Sequence, residues 1–151
     1  MNLNYFLILS VLSLFSQTLA SPFEMGRNLI QFKRMVEYMT GRNALDFDSY
    51  GNYCGMGGSG TPVDAIDNCC KNHDECYENA SSLTCYSYFS TYDYTAADYK
   101  ITCLDSNTKC QSKICACDKA AAECFRNNLN SYNPCLNRPG ILGIFQPSGC
   151  K

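Results

Sequence analysis

Twelve cysteines constrain the fold of this 151-residue chain more than any other feature. All of them lie from Cys54 onward, and cysteine at roughly 8–10 % of a short exported chain marks a disulfide scaffold. The sole histidine, His73, has no metal-ligand partner at finger spacing, so a structural zinc site fits poorly. Spacing carries further information. Cys69 and Cys76 are seven residues apart, as are Cys117 and Cys124, and seven residues make two helical turns. Each pair therefore occupies one helix face. Two such helices can be cross-linked antiparallel, through Cys69–Cys124 and Cys76–Cys117, or parallel, through Cys69–Cys117 and Cys76–Cys124, but not in a mixture. Twelve cysteines admit about 10,000 pairings, so spacing alone does not choose among them.

The first twenty residues carry no charged side chain, and a mostly apolar run from Tyr5 to Phe15 ends in Thr18-Leu19-Ala20. This predicts a signal peptide over residues 1–20, although the usual basic start is missing. A membrane anchor is the alternative; polar Ser10, Ser13, Ser16 and Gln17 leave the run shorter than the ~20 apolar residues a span requires. Residues 21–27, Ser-Pro-Phe-Glu-Met-Gly-Arg, read as a short propeptide that ends at Arg27. About 130 residues remain, a single-domain length, so residues 28–151 are read as one domain that is secreted and extracellular. Twelve basic and fourteen acidic residues give a formal charge of −2 with no basic run. Nucleic acid is therefore not expected as a partner, nor is strong attraction to anionic membranes.

Leu29, Phe32, Met35, Val36 and Met39 recur every three or four residues, predicting a helix from Asn28 to Thr40 that Gly41 ends. Further on, the stretch Tyr53–Tyr77 joins a glycine-rich loop to a helical pattern. Gly55, Gly57, Gly58 and Gly60 allow left-handed backbone, which can bring carbonyl oxygens together around a hard cation such as Ca²⁺. Pro62 can occupy the first helical turn, and Asp64 and Asp67 suit its positive end. Ile66, Cys69, Cys70, His73, Cys76 and Tyr77 follow at helical spacing, so one helix presents His73 beside Asp74. A second long helix is predicted from about Thr108 to Asn127.

Three patterns together resemble the secreted phospholipase A2 family. The loop pattern is carried by Tyr50, Tyr53, Cys54, Gly55, Gly57 and Gly58, and the first helix pattern by Cys69, Cys70, His73, Asp74, Cys76 and Tyr77. Cys115, Cys117, Asp118, Ala121, Ala122, Cys124 and Phe125 carry the third, so the resemblance spans roughly Asn28 to Asn128. It implies a mainly α, disulfide-rich fold: two long antiparallel disulfide-linked helices, an N-terminal helix, a calcium loop and a small antiparallel β-wing. It also implies the antiparallel pairings above, with Cys54–Cys70, Cys85–Cys110 and Cys103–Cys115, and leaves Cys135 and Cys150 to each other.

The implied activity is calcium-dependent hydrolysis of the sn-2 ester of glycerophospholipids at a membrane or micelle interface. A phosphatidylcholine 2-acylhydrolase of this type is expected to be a monomer. His73 would be the base that takes a proton from water, since histidine is the residue suited to proton transfer near neutrality. Asp118 would hold its other ring nitrogen, supported by Tyr77 and Tyr92. Asp74 and the carbonyls of Tyr53, Gly55 and Gly57 would hold Ca²⁺, with the Gly55 N–H as a further donor to the oxyanion. Leu29, Phe32 and Val36 would line an acyl-chain channel; plain core packing is the alternative for each.

Tyr86, Tyr88, Tyr92 and Tyr94 include two stretches at strand spacing, which predicts the β-wing with a turn near Ala96-Ala97-Asp98. Tyr94 could take the place of Tyr92 beside Asp118, and sheet packing is the alternative for either. Asn52 stands where many vertebrate members carry a bridged cysteine, and Tyr38 and Ala96 replace another bridged pair. In the tail, Ile141, Leu142, Ile144 and Phe145 would either pack over the helices or enter lipid. A scaffold kept for toxin-like or receptor binding without turnover is the alternative function. In that class the acid at the Asp74 position is often replaced, whereas here it is present.

Overall fold

The computed structural model describes residues 27–138 and Cys150. The expected leader, all but the last residue of the propeptide, and the apolar tail run from Ile141 to Phe145 lie outside the described residues. Three helices carry the fold: α1 (Arg27–Thr40), α2 (Ala65–Ala80) and α3 (Lys109–Asn127). Strands β1 (Tyr94–Ala97) and β2 (Lys100–Cys103) form a two-stranded antiparallel sheet in which Tyr94 faces Cys103 and Ala97 faces Lys100.

Local chemistry sets the helix ends. Thr108 and Gln111 form a reciprocal capping box at the start of α3. Asp64 caps α2 by accepting from the Asp67 N–H at 2.8 Å, so Pro62 stands two residues before the cap and outside the first turn predicted for it. The carboxylate was the better starter because it satisfies an N–H that proline can only omit. At the end of α1, Gly41 enters the left-handed region at φ 68° and its N–H bonds to the Glu37 carbonyl.

Six disulfides hold these parts: Cys54–Cys70, Cys69–Cys124, Cys76–Cys117, Cys85–Cys110, Cys103–Cys115 and Cys135–Cys150. The Cys69–Cys124 and Cys76–Cys117 pairs make α2 and α3 antiparallel neighbours, settling the direction that spacing left open. Helix α1 packs against α3, with Met35, Val36 and Met39 buried together with Ile114, Ala122 and Phe125. The apolar stripe of α1 is thus core at Met35, Val36 and Met39, while Leu29 and Phe32 remain partly open.

The wing differs from its prediction. Tyr86, Tyr88 and Tyr92 are not in strands, and Ala96 and Ala97 belong to β1. The turn is Asp98-Tyr99, both residues at positive φ (49° and 56°), which matches the two-residue hairpin geometry that follows strand twist. Upstream, Ser82 bridges Cys85, the N–H groups of Phe89 and Ser90 turn back to the Tyr86 carbonyl, and Cys85 is tied to Cys110. Alternating tyrosines there follow a pinned loop. Tyr38 and Asn52, two of the positions without a cysteine, each make a hydrogen bond to a distant residue instead. The Tyr99 N–H donates to the Tyr38 hydroxyl at 3.1 Å, and the Arg138 guanidinium donates to the Asn52 side-chain oxygen.

Candidate active site

Helix α2 presents His73 inward and α3 presents Asp118 across from it, and the Cys76–Cys117 bridge fixes the two helices three residues from one and one from the other. His73 Nε2 lies 2.7 Å from Asp118 Oδ1. With Nε2–H donating to the carboxylate, Nδ1 is the nitrogen left to accept a proton. Asp118 is fully buried, and its charge is met by two further donors. The Tyr77 hydroxyl donates to Oδ1 at 2.7 Å and the Tyr92 hydroxyl to Oδ2. Burial first, and then the Asp118 charge, push both phenols well above the ordinary tyrosine range, so they stay protonated as donors.

Tyr92, and not Tyr94, reaches the aspartate; the Tyr94 ring lies beside that of Tyr92 with centroids 5.9 Å apart. The Phe32 ring stacks on the imidazole of His73 at 4.3 Å and 16°, covering one face of that ring. Phe32 itself is half-buried.

The glycine loop leads into this site and is stapled to α2 by Cys54–Cys70. Gly55, Gly57 and Gly60 adopt positive φ, 120°, 78° and 89°, whereas Gly58 does not and is needed instead because a Cβ there would meet Tyr53. Asp74 is half-buried one residue beyond His73, and desolvation pushes its carboxyl above the ordinary range; His73 opposes this and Glu78 adds to it. A cation beside Asp74 would remove that cost. Among the described residues no three His, Cys, Asp or Glu side chains gather as a metal set. A cation beside Asp74 would therefore need other oxygen donors as well, and a carboxylate joined by neutral oxygens is the donor chemistry that a hard ion such as Ca²⁺ accepts.

Three supporting residues escaped the sequence reading. Asp67, read only as an acid at a helix start, is fully buried, and its carboxylate accepts from the backbone N–H groups of Asn52 (2.9 Å), Tyr53 (2.7 Å) and Val63 (2.8 Å). It is the internal anchor of the loop. Gln31 on α1 pairs with both backbone polar groups of Tyr92, at 2.5 and 3.2 Å. Asn28 is buried, and its amide donates to the Tyr77 hydroxyl at 3.2 Å and to the Ser87 carbonyl. The available signal was polar Asn28 and Gln31 falling three apart beside the apolar stripe of α1.

Fold and site together define a class: small disulfide-bridged helical proteins that set a histidine–aspartate pair beside a glycine loop. The phospholipase A2 family model matches residues 29–137, and the chain belongs to the phospholipase A2 family. It is 47 % identical over 114 residues to an acidic phospholipase A2 of Micrurus dumerilii, covering 71 % of this chain and 97 % of that protein. Identity to acidic phospholipase A2 E of Naja oxiana is 46 % over 111 residues, 70 % of this chain and 93 % of the relative. Basic phospholipase A2 nigroxin B of Micrurus nigrocinctus is 48 % identical over 108 residues, covering 68 % and 92 %.

Proposed function

We propose that this chain is a phospholipase A2 that hydrolyses the sn-2 ester of glycerophospholipids, with His73 as the base. The observation that carries this reading is the buried Asp118 carboxylate, which receives His73, Tyr77 and Tyr92 at once. His73 Nδ1 takes a proton from water as its oxygen attacks the ester carbonyl carbon. Asp118 keeps the ring oriented and stabilises the imidazolium, with Tyr77 and Tyr92 holding the carboxylate still. The Gly55 N–H faces the developing oxyanion as a donor. When the tetrahedral species collapses, the C–O bond to glycerol breaks and the imidazolium returns its proton to that oxygen. A fatty acid and a lysophospholipid leave.

Ca²⁺ held by Asp74 and the carbonyls of Tyr53, Gly55 and Gly57 would add positive charge where the oxyanion forms. One carboxylate with several carbonyls belongs with weak extracellular calcium sites, roughly 10⁻⁴–10⁻³ M. The substrate surface is a phospholipid membrane or micelle, and the fully exposed Met56 between Gly55 and Gly57 offers an apolar contact to it. The working form is a secreted monomer of residues 28–151 after removal of residues 1–20 and 21–27. The apolar leader and the bridging of every cysteine support export.

The test is hydrolysis of phosphatidylcholine carrying different acyl chains at sn-1 and sn-2, with and without EGTA. Release of the sn-2 chain alone, abolished by EGTA and by His73→Gln, is expected. Hydrolysis that persists in EGTA, or release of the sn-1 chain, overturns the assignment.

A further inference from the structure

We propose that Asn79 is a site of N-linked glycosylation, an inference that rests on the reading of this chain as exported. Asn79-Ala80-Ser81 is the one Asn-x-Ser/Thr sequence in the chain with a residue other than proline in the middle. It stands at a place the fold leaves free. Asn79 and Ser81 are exposed, and the Asn79 amide has no hydrogen-bond partner among the described residues. Helix α2 ends one residue later, and Ser81 is already extended at φ −68° and ψ 142°. Only the last turn of the helix must open for the sequence to lie extended in a transferase.

The disulfide pattern favours modification before folding. Cys69, Cys76 and Cys85 flank the sequence, and their partners are Cys124, Cys117 and Cys110. As the chain enters the secretory compartment, Asn79 arrives at least thirty residues ahead of all three partners. The surrounding bridges are therefore still open when it passes the transferase. The Asn79 amide nitrogen attacks the anomeric carbon of an oligosaccharide carried on a lipid pyrophosphate. The new N–C bond replaces the sugar–phosphate bond, the amide loses one proton, and the lipid pyrophosphate departs.

The folded protein has room for the product. Asn79 edges a hollow of about 450 Å³ whose other lips include Ser82, Thr84, Lys109 and Lys113, polar groups that suit sugar hydroxyls. Two residues beyond Tyr77, Asn79 points about 200° round the helix from the side chain that meets Asp118. The sugar would thus stand away from the histidine–aspartate pair.

The experiment expresses the full chain with its own leader in a eukaryotic secretory host and measures the mass of the secreted product before and after peptide N-glycosidase. The parent should lose mass on digestion. Asn79→Gln should be secreted without sugar and lose no mass on digestion, with the same rate of lipid hydrolysis. Ser81 bonds the Tyr77 carbonyl and the Ser87 hydroxyl, so Ser81→Ala could fail for structural reasons; Ser81→Thr keeps the hydroxyl and should keep the sugar. Secreted, active parent with the mass of the bare chain overturns the glycan and leaves export standing. Parent found inside the cell, bare and with free thiols, overturns both.

Discussion

Asp118 and Asp67 are two fully buried carboxylates with different tasks, one meeting the imidazole of His73 and the other holding a loop. For Asp118 the donors are side chains, and hydrogen bonds to a charged group contribute about 1.5–3 kcal/mol each. Tyr92→Phe should lower stability by about that amount and reduce kcat while leaving Ca²⁺ affinity unchanged. Equilibrium denaturation beside a kinetic assay checks it; unchanged kcat would remove Tyr92 from the supporting set. For Asp67 the donors are three main-chain N–H groups. Asp67→Asn retains the volume, and its one acceptor oxygen can keep the Asn52 and Val63 N–H groups, but the Tyr53 N–H then faces the amide nitrogen unmet, at about 1–3 kcal/mol. We expect Ca²⁺ affinity, read by calorimetric titration, to fall several-fold, in contrast to Tyr92→Phe. The sequence showed His73, Asp74 and Asp118 because they sit in patterned company. It did not show Asp67, because an acid three residues after Asp64 looks like ordinary helix-start chemistry, and its real partners come from a loop about fifteen residues upstream.

Among the elements, α2 and α3 were legible from the seven-residue cysteine spacing, and their relative direction was not, because parallel and antiparallel helices satisfy that spacing equally. The wing was legible as an antiparallel hairpin, but its strands fell later than the tyrosine alternation suggested. Cross-links that pin residues 82–90 override the strand preference of Tyr86 and Tyr88. Bridges between elements should also differ in worth. Chain entropy assigns about 4 kcal/mol to the loop closed by Cys76–Cys117, with separation 41, and about 3 kcal/mol to that of Cys103–Cys115, with separation 12. Replacing both cysteines of the first pair by serine should therefore lower the denaturation midpoint more. It should also reduce kcat, since that bridge adjoins Asp118, whereas loss of the second should leave kcat close to the parent. Equal loss of activity in both double variants would show that the first bridge has no special hold on the site.

At the scale of the molecule, alkaline pH should expose the buried phenols. Tyr50, Tyr77 and Tyr92 have folded-state pKa values raised by burial, while in the unfolded chain they ionise near the ordinary ~10. The unfolded state then binds fewer protons than the native one, so stability present below about pH 10 declines as pH rises beyond it. Phenolate absorbance should accordingly show three tyrosines that titrate only with unfolding. If all of them titrate with circular dichroism unchanged, the burial around Asp118 is wrong. The disulfide-rich, mainly helical character of the fold was legible from the cysteine content and the helical spacings. The contacts of Tyr38 with Tyr99 and of Asn52 with Arg138 were not legible, since they join residues 61 and 86 apart.

The three cysteines of α2, Cys69, Cys70 and Cys76, are bound to Cys124, Cys54 and Cys117. Both the loop beside Asp74 and the helix bearing Asp118 are thus joined to the histidine helix through oxidised sulfur. A copy of this chain stranded in a reducing cytosol would lack all three ties, and its base, its orienting acid and its loop would be parts without an assembly. Oxidation would thus act as the switch that turns a phospholipase A2 chain into a working site, and a reducing compartment would keep it idle.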